Sequence, residues 1–463
     1  MMTLTASQVE QIARAARALL EDPGVMLEDE EVVERMLKAG ALQGGKPFVV
    51  RLPAAMLDEC LARAPRRFVL ADRRGTRREV APDSPSLFWT GAALFILDDK
   101  GIRTIRREDL SGFTRVVDAL PNVDGVVGTA IDDASPADRD FAGLRVMARA
   151  TRKHLRALSF TPRGGEAMLE MGRVLAGPAG IRANPVFSLG FTAHGPLRWT
   201  GLALGVFKAT AGHGVPVTVN GEPMAGASAP VTLAGTAAVG TAEILAGIAV
   251  NQVLEPGRPC FFNLGFSHVM DMRTGFAVTG GPENCLLAAA GAELARFFGF
   301  PSVSWMCSDS LLADGQNALE KGIAAVTHAL SRVSVVWGVG QLESEKTLSA
   351  VQAVIDDEIA GAARRCAAGF EVDDATLAVD EIRRVGITGS FLGSEHTLEH
   401  FRGAVWEPRH LVRAQRGAEA GRRGMQQRAE EFVRDTLAHP GASMLDEAEE
   451  RELGRIERRF SGS

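Results

Sequence analysis

Tyrosine is absent from the 463 residues, and aromatic side chains make up only 6% of the chain. Any aromatic enclosure must therefore be built from its 22 phenylalanines and 5 tryptophans, without a phenolic proton to donate. Five cysteines, Cys60, Cys260, Cys285, Cys307 and Cys366, stand with no CxxC or CxxH spacing, which indicates neither a disulfide framework nor a structural zinc site. No GxxxxGK[ST] occurs, no GxGxxG leads from a strand into a helix, and no GxSxG elbow is present. Those absences remove the phosphate-loop, dinucleotide and α/β-hydrolase readings. Positive charge is not in excess either: 51 Lys and Arg face 57 Asp and Glu, for a net charge of −6. Nucleic acid and anionic membrane are thus poor partners, and small molecules or proteins remain.

The N-terminal segment reads as a mature helix, with Ser7 and Glu10 as a capping box and Val9, Ile12, Ala16 and Leu19 on one face. The uncharged run from Pro223 to Ala242 has membrane length. Its two prolines, its glycines and Glu243 just beyond make it too weakly apolar to span, so the expected location is cytoplasmic.

At this length a large barrel or two domains are both possible. Residues 1–121 read as an α+β cap, with amphipathic helices near 6–21, 29–39 and 53–64, then short strands in RRFVLAD, SLFWTG, LFILDD and IRTI. From residue 122 to about 412, strand and helix alternate. Strands are expected at VDGVVGTAI, LRALSFT, NPVFSLGFTA, VPVTVN, RPCFFNLGF, SVSWMCS, VSVVWGVG and ITGSFL. Apolar strands alternating with helices imply parallel pairing buried on both faces, and the simplest closed form is a TIM (β/α)₈ barrel. Residues 413–463 read as a helical extension, with a charged helix from about 414 to 437.

Barrel chemistry gathers where strands run into helices, at the C-terminal face. That rule selects Asp132, Asp133, Thr161, Thr192, His194, Glu222, Ser267, His268, Asp309, Gln341 and Glu343. Asp309 ends a strand and Asp314 is placed to cap the following helix; bracing and capping are the ordinary uses of such acids. Glu222 lies past a strand with no helix to serve, where a carboxylate can balance a fixed cation. Glu283 opens a helix, a position the helix dipole alone favours. His396 and His400 are spaced i, i+4 but lack the HExxH glutamate and a third ligand, so no metal is assigned. Trp305 and Trp337 lie inside strands and suit barrel filling, whereas Trp89 and Phe262 or Phe266 could reach the mouth and face a quaternary ammonium.

The segment from Glu222 to Ile248, EPMAGASAPVTLAGTAAVGTAEILAGI, is nearly uncharged and dominated by small residues. Pro230 is positioned to open its helix, and the lack of side chain lets something large approach the backbone. With DMRTGFAVTGGPE, SDSLLADGQNALE and FLGSEHTLEHFR, this run resembles the trimethylamine methyltransferase family over nearly the whole chain. Departures are Leu311, where the family usually has Lys, and Ser390, where many members have His. The chain contains no pyrrolysine, which resembles the larger branch of the family.

The resemblance implies a barrel that docks a separate corrinoid protein and passes a methyl group from a methylated amine to Co(I). This chain has no D-x-H-x-x-G corrinoid-holding motif, so the cobalamin is expected on the partner. A quaternary amine leaves as a neutral tertiary amine and needs no general acid, which points to a betaine-type substrate. On this basis Glu222 and Asp309 are expected beside the cation, with Trp89, Phe262, His268, Glu283, Gln316 and His396 shaping the binding site. Met224, Gly226, Ala227 and Ser228 are expected to face the corrinoid. A homo-oligomer is compatible with the sequence. Two other readings stay open: a metal-dependent barrel hydrolase or lyase using Asp309, Glu222, His268 and His194, and a non-catalytic betaine-binding protein.

Overall fold

Eight parallel strands close into a barrel in sequential order, each followed by a helix, in the computed structural model, which describes residues 3–413, 423–439 and 441–461. Helices α1 (Ala6–Glu21), α2 (Glu30–Lys38) and α3 (Ala54–Arg63) precede it. The barrel strands are β1 (Leu87–Thr90), β2 (Gly125–Val127), β3 (His154–Arg156), β4 (Phe187–Thr192), β5 (Val217–Asn220), β6 (Cys260–Asn263), β7 (Ser302–Trp305) and β8 (Val335–Val339). After them in turn come α4 (Arg107–Asp118), α5 (Arg139–Ala150), α6 (Pro162–Ala176), α7 (Gly201–Ala209), α8 (Leu233–Leu254), α9 (Pro282–Phe298), α10 (Gly315–Leu330) and α11 (Ala350–Ala368). Nearly every strand residue is buried, because helices cover the outer face and side chains fill the inner one.

The expected cap boundary at residue 121 is corrected by this topology. Strand β1 comes from SLFWTG, pairs with both β8 and β2, and completes the barrel. ITGSFL, expected to be the last strand, forms none; Ile387 and Leu392 within it are 97% and 88% exposed.

A hairpin of Phe68–Ala71 and Arg77–Val80 closes the N-terminal end of the barrel. Its Leu70 and Val80 join the interior cluster of Leu87, Trp89, Val127, Phe261 and Val335, and Phe68 meets Phe261 edge-on at 4.9 Å. A ligand must therefore enter from the opposite end, where the strands run into their loops.

Helix α8 is long and apolar enough for a membrane by composition, but most of it is buried between the strands and α1, α2 and α3. Its glycines serve close packing within the protein: a Cβ at Gly247 would stand 2.3 Å from the Trp199 ring, and one at Gly240 would stand 2.4 Å from Leu264. Only the entry to this helix, residues 226–235, offers small residues at the surface. Two end signals are also corrected. The capping box of α1 is Thr5 with Gln8, and α8 begins after Thr232, with Pro230 outside it accepting a 2.8 Å bond from Thr236 Oγ1. At α1 the Thr5 hydroxyl reaches the Gln8 amide and sets the boundary, whereas the N-cap of α8, Thr232, makes no side-chain cap bond.

C-terminal helices Met425–Leu437 and Glu447–Ser461 pack on α4 and α11 and on α5 and α6, respectively. Arg145 of α5 pairs with Glu450 at 2.5 Å across the second contact, and Arg107 of α4 reaches Glu457 at 2.9 Å. The first part of the helix expected from residue 414, up to 422, lies outside the described residues.

Candidate active site

A cavity of about 450 Å³ opens at the C-terminal end of the barrel. Its depth is set by Val127, Arg156 and Gly190, its walls by Phe266, Trp305 and Trp337, and its rim by Leu94, His194, Leu202 and the segment Ser344–Lys346. Such a volume suits a small organic molecule.

Three aromatic rings form one corner. Phe266 stands edge-on to Trp305 at 4.6 Å and to Trp337 at 5.4 Å. Trp305 is fixed by a 2.5 Å hydrogen bond from its Nε1 to Gln341 Oε1, and the Gln341 amide in turn donates to the carbonyl of Ala92. Gly91 leaves the room for this side chain, since a Cβ there would fall 1.8 Å from the Gln341 carboxamide carbon. Trp305 and Trp337, expected as barrel filling, thus line the cavity.

Glu345 is the acid on the cavity wall, and the sequence reading missed it. It sits at the end of three consecutive left-handed residues, Glu343, Ser344 and Glu345, with φ of 55°, 48° and 78°. Non-glycine residues adopt that conformation only under constraint from their surroundings. Here the constraint is the loop after β7: the amides of Glu343 and Ser344 donate to the carbonyls of Ser310 and Ser308, and Ser344 Oγ donates to Asp309 at 2.7 Å. Burial, together with the charges of Glu222 and Asp309, pushes the Glu345 carboxyl well above its usual range. His268 Nε2 lies 3.2 Å from Glu345 Oε1, yet that oxygen accepts no hydrogen bond. Burial lowers His268 to about 4, so the imidazole is neutral at physiological pH.

Asp309 itself braces the loops. Its carboxylate accepts from Thr279 N at 2.9 Å, Thr279 Oγ1 at 2.7 Å, Gly280 N at 3.1 Å and Ser344 Oγ at 2.7 Å, and it does not line the cavity. Glu222 is likewise off the cavity wall; burial and the neighbouring Glu243 raise it to about 7. Both lie close enough for their charge to raise the Glu345 carboxyl. The SD…Q…E motif is structural, since Glu320 accepts from Ser308 Oγ at 2.7 Å and Asp309 N at 2.9 Å while Gln316 holds Glu320 at 2.9 Å. Asp314 caps α10, as expected.

Several expectations for the mouth are corrected. Trp89 points into the closed end of the barrel, fully buried and stacked on His154 at 5.0 Å. Phe262 points outward onto Phe298 because strand alternation gives the interior to Phe261. Glu283 lies in the first turn of α9, Gln316 on the exposed side of α10, and half-buried His396 4.5 Å from His400, and none of them lines the cavity. Thr192 and His194 do line it. Among the described residues no three His, Cys, Asp or Glu side chains converge as metal ligands, so the four suggested for a hydrolase do not form a set.

The family model for trimethylamine methyltransferase (MTTB) matches residues 1–461. The chain belongs to the trimethylamine methyltransferase family. Trimethylamine methyltransferase MttB of Desulfitobacterium hafniense (strain DSM 10664 / DCB-2) is 30% identical over 83% of this chain and 78% of its own. A glycine betaine methyltransferase of Desulfitobacterium hafniense (strain Y51) is 30% identical over 88% of this chain and 85% of its own. The crystal structure of the Methanosarcina barkeri monomethylamine methyltransferase (MtmB) has the same fold, with a TM-score of 0.55, 13% identity and coverage of 94% of this chain and 88% of that one. Family membership makes this chain a methyltransferase, as its sequence led us to expect.

Proposed function

We propose that this methyltransferase, acting in the cytoplasm, moves a methyl group from a quaternary amine to the Co(I) of a corrinoid held by a separate protein. The observation that carries the reading is that the corner of Phe266, Trp305 and Trp337 and the hydrogen-bond-free oxygen of Glu345 line one cavity. Aromatic faces attract a cation that has no proton to donate, by about 0.5–2 kcal/mol each when desolvated. A carboxyl without hydrogen-bond donors supplies the balancing charge once the cation arrives.

The rim suits a broad, partly apolar partner. Leu94, Leu202, Val231, Met272, Phe276 and Leu312, from the segments that follow five different strands, are each more than half exposed. Met224, Gly226, Ala227 and Ser228 lie among these loops, where a Cβ at Gly226 would approach Met272 Sδ to 3.0 Å. Small residues there leave clearance for a flat macrocycle, and the exposed apolar ring fits its carrier.

When bound, the corrinoid supplies a nucleophilic Co(I) whose electron pair forms the new bond to carbon as the N–CH₃ pair stays on nitrogen, leaving a neutral amine. No proton is needed, so the side chains have three tasks: hold the cation, point one methyl at the opening and exclude water. Gln341 contributes by fixing Trp305 through its indole hydrogen bond, and Asp309 by holding Ser344.

Incubation with a reduced corrinoid carrier and a panel of quaternary amines tests this. We expect the absorbance of methylated carrier with at least one of them. Binding without transfer for every member of the panel would leave a betaine-binding protein instead, and no binding at all would remove the cation site.

A further inference from the structure

Arg156 is the one strongly basic side chain deep in the cavity, and nothing in the mechanism above uses it. It ends β3, is 5% exposed, and lines the cavity with Val127 and Gly190. Its Nε is buried without a partner, and among the described residues its guanidinium makes no hydrogen bond and no ion pair. Burying a cation in this way is costly unless something compensates it. The one contact that does is with Trp337, whose ring lies 4.7 Å below the guanidinium carbon. That stacking covers the face of the guanidinium and leaves its N–H edge free.

The neighbouring strand is shaped around this group. Gly190 of β4 has no side chain, and a Cβ there would fall 1.9 Å from Arg156 Nη2. Burial pushes Arg156 down to about 10, which leaves it cationic at neutral pH. The cavity therefore carries a fixed positive charge in its depth and an ionisable carboxyl, Glu345, near its opening, with Trp337 beside both the guanidinium and the aromatic corner.

Opposite charges at opposite ends match a zwitterion. We propose that Arg156 receives the carboxylate of the methylated amine, so that the cavity selects quaternary amines bearing an acid group and turns their methyls toward the opening. This rests on the cation assignment above and extends it to the other end of the substrate. A planar carboxylate meets the guanidinium edge through two parallel N–H···O bonds, the geometry that Arg supplies and Lys does not. The acid group takes no part in the transfer; it sets depth and direction.

Calorimetry on the whole protein separates the two ends with three probes: glycine betaine, tetramethylammonium, which lacks the acid, and 3,3-dimethylbutyrate, which lacks the cation. The wild type is expected to bind glycine betaine at least about 10-fold more tightly than either. In Arg156→Gln the affinity for glycine betaine should fall about 10- to 100-fold while that for tetramethylammonium stays within about twofold. Gly190→Ala, which crowds the guanidinium, should shift the same selectivity in the same direction, and near-ultraviolet circular dichroism confirms that both variants are folded. Equal losses for both cations in a folded Arg156→Gln, or a loss that follows Lys346→Met at the rim instead, would overturn the assignment. So would tetramethylammonium demethylated as well as glycine betaine, an outcome that leaves the methyl-transfer reading intact. If none of the three probes binds and none transfers a methyl, the preceding reading fails along with this one.

Discussion

Glu345 Oε1 stands 3.2 Å from His268 Nε2 without accepting a hydrogen bond from it. Burial lowers the imidazole to about 4 and raises the carboxyl well above its usual range, so each is shifted toward its uncharged form. In the proposed function this poorly satisfied acid, which lines the cavity with three aromatic rings, becomes charged when a cation enters.

That state has a pH signature. The groups facing Glu345 are His268, Glu222 and Asp309, and the two acids favour its protonated form. A bound cation favours the carboxylate, so binding releases a proton whenever the empty site is protonated. Affinity for a quaternary amine should rise with pH up to the carboxyl's own pKa and then level off. Calorimetry in buffers of different ionisation enthalpy should show about one proton released per ligand below that point. An affinity that does not change with pH would count against Glu345.

Glu345→Gln keeps the shape and removes the charge. We expect quaternary-amine affinity to fall by about 1–3 kcal/mol, on the order of 5- to 150-fold, with the pH dependence flattened. Phe266→Ala should cost less, about 0.5–2 kcal/mol, and leave the pH profile in place. Equilibrium binding across pH 6–9 checks both.

Asp309 and Glu222, picked from the sequence as the residues beside the cation, differ from Glu345 in a testable way. Asp309→Asn leaves one side-chain oxygen and a misplaced amide to meet the donors Thr279 N, Thr279 Oγ1, Gly280 N and Ser344 Oγ. The expected result is a stability loss of about 1–3 kcal/mol in denaturant unfolding, with weaker binding as a secondary effect of the released Ser344–Glu345 loop.

Buried Glu222 and Glu243 both rise to about 7 in the fold, well above their unfolded range. A raised folded pKa means the native state holds more protons, so this contribution to stability is full below about pH 4.5 and is lost as pH climbs through about 7. The melting temperature should therefore be lower at pH 8 than at pH 6. Glu222→Gln should reduce that difference, since its carboxylate accepts no hydrogen bond in the fold while Glu243 accepts from the Leu197 and Glu222 amides.

How much of this was legible follows from local physics. Strands β2 to β8 stand out because strands buried on both faces read as apolar runs, whereas β1 hides as four residues among other short strands of the cap. The sequence offers Phe266 as a ring able to reach the mouth but makes Trp305 and Trp337 look like filling, because in-or-out alternation does not tell depth. Glu345 was invisible for a different reason: no glycine marks the left-handed run 343–345, which is held by the distant Ser308–Ser310 loop. Arg156 leaves a usable signal, an arginine that ends the buried strand His154–Arg156 just before the run ALSF, of the kind a buried binding site produces.

A crystal structure of the protein with glycine betaine bound tests the central claim most directly. The account predicts the quaternary nitrogen within about 6 Å of the Trp305 and Trp337 ring centres, beside Glu345, with a methyl facing the opening. A nitrogen seated elsewhere, or a methyl shielded from the mouth by the side chains of the rim, would contradict it.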